Sequence, residues 1–431
     1  MTVDERPHGL VTLSRWRAAL ARSRNPGKRL EVLLADPQAA ALVPRIPMED
    51  FYYLVRSVGL PDAGDVLRLA SAEQLQGCLD LDLWEGDRLS TPRMLPWLEA
   101  LTEVGPRALS ALMRLLDSEL VSLVIGRSAR IYDRTVHEGP TGETRYALYR
   151  TPDQAFFVEF RTPDPHTART LERFLDRVYE VDPEVARSLL THAKWATTAE
   201  LEEESYQWRT ARLADFGFPS YDEALAVYRY VDPRRALVPT DGQQSHDPTD
   251  APMLPAPFAD ALGEESFLGR VLAEIDDAGR LADLSTAIVG LLNRVLVADR
   301  VDPGDLDAVR EVSARVRDTL SLGLEHAAAG DVGRGRAIVA ETGLVELFGV
   351  GFSLTIDLGR RAKALDRTGA VDPTVDPLLE RRPMFPCALD PSPIAGQRPF
   401  RTVADLRAVE AYLTGAESER PDDATPAMVR P

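Results

Sequence analysis

The chain has 431 residues, 44% of them hydrophobic and 27% charged, which is enough for two or three domains with separate cores. Its formal net charge of −18 argues against nucleic acid as the main partner, since phosphate binding needs a clustered basic surface, and equally against an anionic membrane surface. Two distant cysteines, Cys78 and Cys387, suggest no disulfide framework, and Cys78 lies in an apolar run where a buried reduced thiol is expected.

Residues 1–24 read as an exposed arm with one helix around Trp16. Early acidic residues and the lack of an apolar stretch there are unlike a secretory signal, so the expected location is the cytoplasm. Residues 25–127 read as a stack of short helices. Phe51, Leu54, Val55 and Val58 recur at helical spacing, as do Leu95, Leu98 and Leu101, then Leu109, Leu112, Leu115 and Leu116. Gly59, Pro61-Asp62, a capping box over Ser71–Gln74 and Gly105-Pro106 mark the corners. Helices this short are marginal alone and must bury their stripes on neighbours, so the stack is helical-repeat-like, without a fixed period.

Residues 128–238 predict an α+β middle domain. Ile131–Val136, Tyr146–Arg150 and Ala155–Phe160 are rich in β-branched and aromatic residues, giving a small antiparallel sheet of three strands. His137–Gly142 is expected to be the hairpin loop between the first two. Asp164-Pro165 and Asp182-Pro183 each open a helix, because proline at the first helical position lacks only an N–H that would be unpaired anyway. A further helix spans about 199–216, with Gly217 as its stop.

Residues 239–257 have the composition of a linker, and 258–367 predict a bundle of longer helices. Within the bundle, Gly343–Ile356 is apolar but too short to span a membrane, and a core helix is expected. Residues 368–431 combine a Pro-rich segment, a short helix over Val403–Leu413 and a disordered tail. The fold class is therefore mainly α: a helical-repeat-like N-terminal stack, a small antiparallel sheet with helices in the middle, and a C-terminal helical bundle.

Three segments together resemble a family of bacterial proteins catalogued as domain of unknown function 6178. They are Asp80–Trp84 (DLDLW), the run from Tyr206 to Phe218, and Leu344–Phe352 with its LFGVGF. The resemblance covers roughly 28–413 and implies a bacterial, soluble, mostly helical protein without an assigned activity. The stacked short helices are also similar in architecture to the cytosolic helical domains of magnesium channels and flagellar motor proteins, and architecture does not fix function.

Chemistry-bearing motifs are scarce. The acidic cluster Asp80, Asp82, Glu85 and Asp87 around Trp84 lacks the spacing of a calcium loop, and a corner whose aspartates cap backbone N–H groups is the simpler expectation. Six scattered histidines form no ligand pair, so no metal site is expected. Gly330–Gly335 has neither the preceding strand nor the Lys-Ser/Thr of a phosphate loop and reads as a helix-to-helix turn. No nucleophile elbow occurs, no catalytic residue is assigned, and no cofactor is expected.

The helix over 199–216 stands apart, because Arg209 and Arg212 share its aromatic side with Tyr206 and Trp208. One reading is a pocket for an anionic ligand formed by Tyr206, Trp208, Arg209 and Arg212. The other is internal pairing, of Arg209 with Glu202 and of Arg212 with Asp215 or a carboxylate of the sheet. The expected function is a non-enzymatic protein-interaction or regulatory scaffold with an unidentified protein partner. The alternative is an enzyme or small-ligand sensor that binds an anion near Tyr206–Arg212.

Overall fold

The computed structural model describes residues 26–115, 118–140, 145–235, 266–367 and 400–418, with 237, 369 and 379. The arm, the linker, Cys387 and the tail beyond 418 lie outside the described residues. Among them, 18 helices and two small antiparallel sheets make the fold mainly α. The chain divides into two compact units, Met1–Ser220 with Pro252–Ala256 and Arg300–Val309, and Tyr221–Ala251 with Pro257–Asp299 and Arg310–Pro431.

In the first unit the short helices are α1 (Pro26–Leu34), α2 (Ala39–Leu42), α3 (Met48–Val58), α4 (Gly64–Leu67), α5 (Ala72–Asp82), α6 (Thr91–Glu103), α7 (Pro106–Leu115) and α8 (Ser118–Ser128). Helix α5 starts as its sequence dictates. The Ser71 hydroxyl accepts from the Gln74 amide, and the Gln74 side chain accepts from the Ser71 amide. Gln74 then donates to the Val43 and Ile46 carbonyls at 2.8 and 2.7 Å, tying α5 to the preceding corner.

The acidic corner differs from expectation. Asp80 and Asp82 belong to the last turns of α5 and are buried, and they accept from side chains rather than capping backbone amides. After them the chain makes a two-stranded hairpin, β1 (Trp84–Glu85) with β2 (Arg88–Leu89). Gly86 adopts φ 66° at its turn, a backbone conformation that favours glycine.

The three predicted strands are β3 (Ala129–Asp133), β4 (Leu148–Arg150) and β5 (Phe156–Phe160), but their order is β3-β5-β4. The first strand of this sheet pairs with the third, so His137–Gly142 does not join neighbours, and of the three strands β4 and β5 form the hairpin. Residues alternate between faces along each strand. Ala129, Ile131, Tyr149, Phe156, Val158 and Phe160 are buried, while Arg130, Leu148 and Arg150 are exposed. Three helices follow: α9 (Pro165–Val181), α10 (Pro183–Trp195) and α11 (Thr198–Asp215). The Asp164 and Asp182 carboxylates accept from the first free amides of α9 and α10, as the Asp-Pro starts predict. The Tyr149 hydroxyl donates to Asp176 of α9 at 2.6 Å, fastening the inner sheet face to that helix.

The second unit contains α12 (Tyr221–Leu225), α13 (Phe267–Ala273), α14 (Ala278–Ala298), most of α15 (Leu306–Ala328), α16 (Val332–Glu341), α17 (Leu344–Asp366) and α18 (Val403–Ser418). Helix α16 was not expected, since Gly333 and Gly335 disfavour a helix. Gly335 is needed because Val271 and Phe267 of α13 occupy the space a side chain would take. Leu347–Phe352 is a packing motif. A Cβ on Gly351 would overlap the Thr319 carbonyl of α15, and one on Gly323 would overlap the Leu347 carbonyl, so the two helices meet backbone to backbone. Among the described residues one helix segment, Gly279–Ala298, is long and apolar enough to cross a membrane, a test that core helices also pass. Half of it is buried.

Candidate functional site

Four residues were singled out on α11, and three of them come together. Tyr206 packs on Trp84 with ring centres 5.8 Å apart, and the Arg209 guanidinium lies over both rings, at 5.5 Å from Trp84 and 5.9 Å from Tyr206. Arg212 donates through Nε and Nη2 to the Asp80 carboxylate at 2.7 and 2.9 Å, and Arg209 Nε donates to the Asp80 backbone carbonyl at 2.6 Å. Trp208 stands apart, 57% exposed. At about 100° per residue the buried face of α11 centres near Ser205 and Arg209, and Trp208 falls a quarter-turn away.

The partner of the arginines is therefore Asp80, from a helix more than a hundred positions earlier in the sequence. Glu202, expected to pair with Arg209, instead accepts from Arg127 of α8 at 2.6 Å and from the Leu89 amide at 3.0 Å. Asp215, the expected partner of Arg212, is exposed. Bidentate guanidinium–carboxylate geometry is among the strongest polar contacts available. Even so, burial outweighs it at Asp80, whose pKa is raised despite the help of Arg212, Arg209 and Gln76. Arg209 is shifted the other way, downward, with burial the larger cause and the Asp80 charge opposing it.

Two residues further on, Asp82 looks the opposite way. Its carboxylate accepts from Trp97 Nε1 at 2.7 Å, from the Tyr52 hydroxyl at 3.2 Å and from Arg56 Nη1 at 3.3 Å. Burial, with the Asp82 charge second, raises the Tyr52 pKa well above its ordinary value. Arg56 also donates to the Gly304 carbonyl at 3.0 Å, and Arg93 bonds Asp302 at 2.7 Å. A side chain at Gly304 would press on the Arg56 guanidinium and the Asp82 carboxylate and make them shift. The DLDLW run thus clamps α11 through Asp80 and Trp84, and holds α3, α6 and the 302–304 segment through Asp82. Sequence patterning missed the clamp because its members lie on separate helices; paired acids inside an apolar helical run were its one visible signal.

Close by, Leu79, Leu83, Met94, Leu98, Val124 and Phe174 are among the side chains lining an apolar void of about 30 Å³. Its lining offers no polar group to hold a water or orient a ligand. Among the described residues no group of three or more His, Cys, Asp or Glu side chains could hold a metal ion. Cys78 is buried and free, and burial pushes its thiol well above the ordinary pKa, which makes it a poor nucleophile.

The model of a family described as "Family of unknown function (DUF6178)" matches residues 7–421. No curated protein and no solved structure matches the chain.

Proposed function

The chain belongs to this family of unknown function, and on that premise we propose that it is a cytoplasmic, non-enzymatic protein-interaction scaffold. The observation that carries the reading is the exposure of two tryptophans. Trp195 is 68% and Trp208 57% exposed, whereas Trp84 and Trp97 are buried. A large ring left in water gives up burial free energy of about 25 cal/mol per Å². Tryptophan is also among the side chains most enriched at the centres of protein interfaces. Trp195 closes α10 with the Lys194 ammonium 4.4 Å from its ring centre, and Trp208 stands beside exposed Glu204, Gln207 and Ala211 on α11.

The alternative, an enzyme or anion sensor at Tyr206–Arg212, needs guanidiniums that face a ligand. Arg209 and Arg212 both donate to Asp80 instead. Affinity purification of the tagged full chain from its native host tests the scaffold reading. The expected result is a stoichiometric polypeptide partner that is lost from a Trp195→Ser/Trp208→Ser variant. A co-purifying metabolite, joined by a thermal shift with one member of a phosphate and carboxylate panel, would overturn it.

A further inference from the structure

The outer face of the three-stranded sheet carries a second arginine–aromatic arrangement, built differently from the one around Asp80. By register, Tyr132 of β3, Phe157 of β5 and Arg150 of β4 form one cross-strand row, and Arg130, Glu159 and Leu148 form the next. Alternation along the strands puts all six on the side opposite the buried Ile131, Tyr149 and Val158. Arg134, just past β3, reaches the same side and lies 4.9 Å from the centre of the Phe157 ring. Arg150 lies 5.8 Å from that ring, and Arg130 lies 5.4 Å from the ring of Tyr132.

Unlike Arg212, these three guanidiniums have no carboxylate within ion-pair distance among the described residues. Their direct polar partners include Gln154, whose carbonyl accepts from Arg134 at 3.0 Å and whose side chain accepts from Arg150 at 3.1 Å. Glu159 faces the same side and accepts from the Tyr132 hydroxyl at 2.9 Å. Among the described residues of these rows and Arg134, three cations stand against one carboxylate, a positive local balance on a chain of net charge −18. At physiological salt the screening length is about 8 Å, so a ligand at the sheet meets the local charge and not the distant excess of acid.

We propose that this face docks an acidic, extended segment of a protein partner, with Arg130, Arg134 and Arg150 pairing its carboxylates. The proposal rests on the interaction reading above and names the chemistry of the partner. Stacking on Tyr132 and Phe157 restrains the guanidiniums before the partner arrives, so less side-chain freedom is lost on pairing. From strand spacing and rise, Arg130 and Arg150 stand roughly 12 Å apart at the backbone, about four residues of an extended chain. A single-stranded nucleic acid fits less well. The aromatic faces a base would stack on are covered by guanidiniums, and three arginines do not make a continuous phosphate track.

Fluorescence anisotropy with the full chain tests this. The probes are a labelled peptide of alternating glutamate and serine, its glutamine counterpart, and a labelled oligothymidylate. The expected result is saturable, salt-sensitive binding of the glutamate peptide alone, weakened about tenfold or more by Arg130→Glu/Arg150→Glu. Arg130→Gln/Arg150→Gln should weaken it less, and the exposed Arg173→Glu on α9 should not change it. Absence of saturable binding, equal binding by the charge-reversed chain, or tighter binding of the oligothymidylate would overturn the proposal. A native partner captured equally well by the charge-reversed chain would sink the sheet face and leave the scaffold reading standing. Loss of every native polypeptide partner from the wild-type chain would instead sink the scaffold reading.

Discussion

In the first unit the Asp80–Trp84 run carries charge into the interior and satisfies it there; in the second, Leu347–Phe352 removes side chains so that two helix backbones can touch. The first arrangement trades desolvation against strong polar contacts, and such a pair adds little over a well-packed apolar replacement while being costly to break. The second accepts the helix-weakening effect of glycine in return for close packing along the crossing. One region is therefore tuned by charge and the other by volume, and substitutions should separate them.

The largest effect is expected at the crossing. Gly351→Val places methyl groups where the Thr319 carbonyl lies, and backbone cannot move aside cheaply, so a loss of about 4 kcal/mol is expected in chemical denaturation. Gly349→Ala presses on the Val231 side chain and meets backbone, the Arg229 carbonyl, only at ordinary contact distance, so it should cost about 1 kcal/mol. Equal costs would mean that volume at the α15–α17 contact is not what holds the second unit.

Next comes Asp80→Ala, which takes the bidentate carboxylate away from Arg212 and leaves a cavity beside it. The Arg212 side chain is 25% exposed and can turn partly to water, so about 3 kcal/mol is expected, the low end for a broken buried pair. Asp80→Leu with Arg212→Met should recover most of it, measured as a restored Tm.

Arg212→Ala is expected to cost less, about 2 kcal/mol at neutral pH, because a carboxylate that loses its guanidinium can take up a proton whereas a guanidinium that loses its carboxylate cannot give one up. The folded-state pKa of Asp80 is already raised by burial, and removing Arg212 raises it further. For a raised carboxylate, the stability carried by the protonated form is fully present below the unfolded pKa and is lost as pH rises through the folded one. The deficit of Arg212→Ala relative to wild type should therefore shrink on mild acidification, while that of Asp80→Ala should not. Parallel curves of Tm against pH would show that Asp80 stays ionised.

The smallest effect belongs to the helix starts. At Asp164 the Thr167 hydroxyl, then the Thr167 and His166 amides, hold the carboxyl below its usual pKa. Its contribution is present above the unfolded pKa and is lost as pH falls through the folded one. Asp164→Ala should lower Tm slightly at neutral pH and not at all in strong acid. A deficit that persists there would point to helix propensity instead.

What the sequence revealed was local. The Asp-Pro starts, the Ser71–Gln74 capping box and the apolar stripes of α9 and α17 depend on neighbours within a turn or two, and they were legible. What it hid was pairing at a distance. The order β3-β5-β4 depends on which strand Phe156–Phe160 meets, and nothing within the strands fixes that choice. Arg212 does have an internal carboxylate partner, but that partner is Asp80, whose place beside Glu85 and Asp87 resembles a capping corner in the sequence. Helix α16 was overlooked because its glycines count against a helix until Phe267 and Val271 are placed over them. The outward side of Arg130 and Arg150 follows from the alternation of their strands, while the strand order that gathers them and their lack of carboxylate partners among the described residues are visible only in the structure.

The hydrogen bond from Arg56 to the Gly304 carbonyl joins positions 248 residues apart, and residues 300–309 belong to the first unit. During synthesis at about 5–20 residues per second, the segment that completes the Asp82 clamp is made roughly 12–50 s after Arg56. Until then the nascent first unit carries Arg56 and Arg93 without their late partners. Its last folding step is a closure of high sequence separation, of the kind that slows folding. A ribosome-bound chain ending just before residue 300 should therefore be more open to protease around α3 and α6 than one long enough for residues 300–309 to have left the exit tunnel.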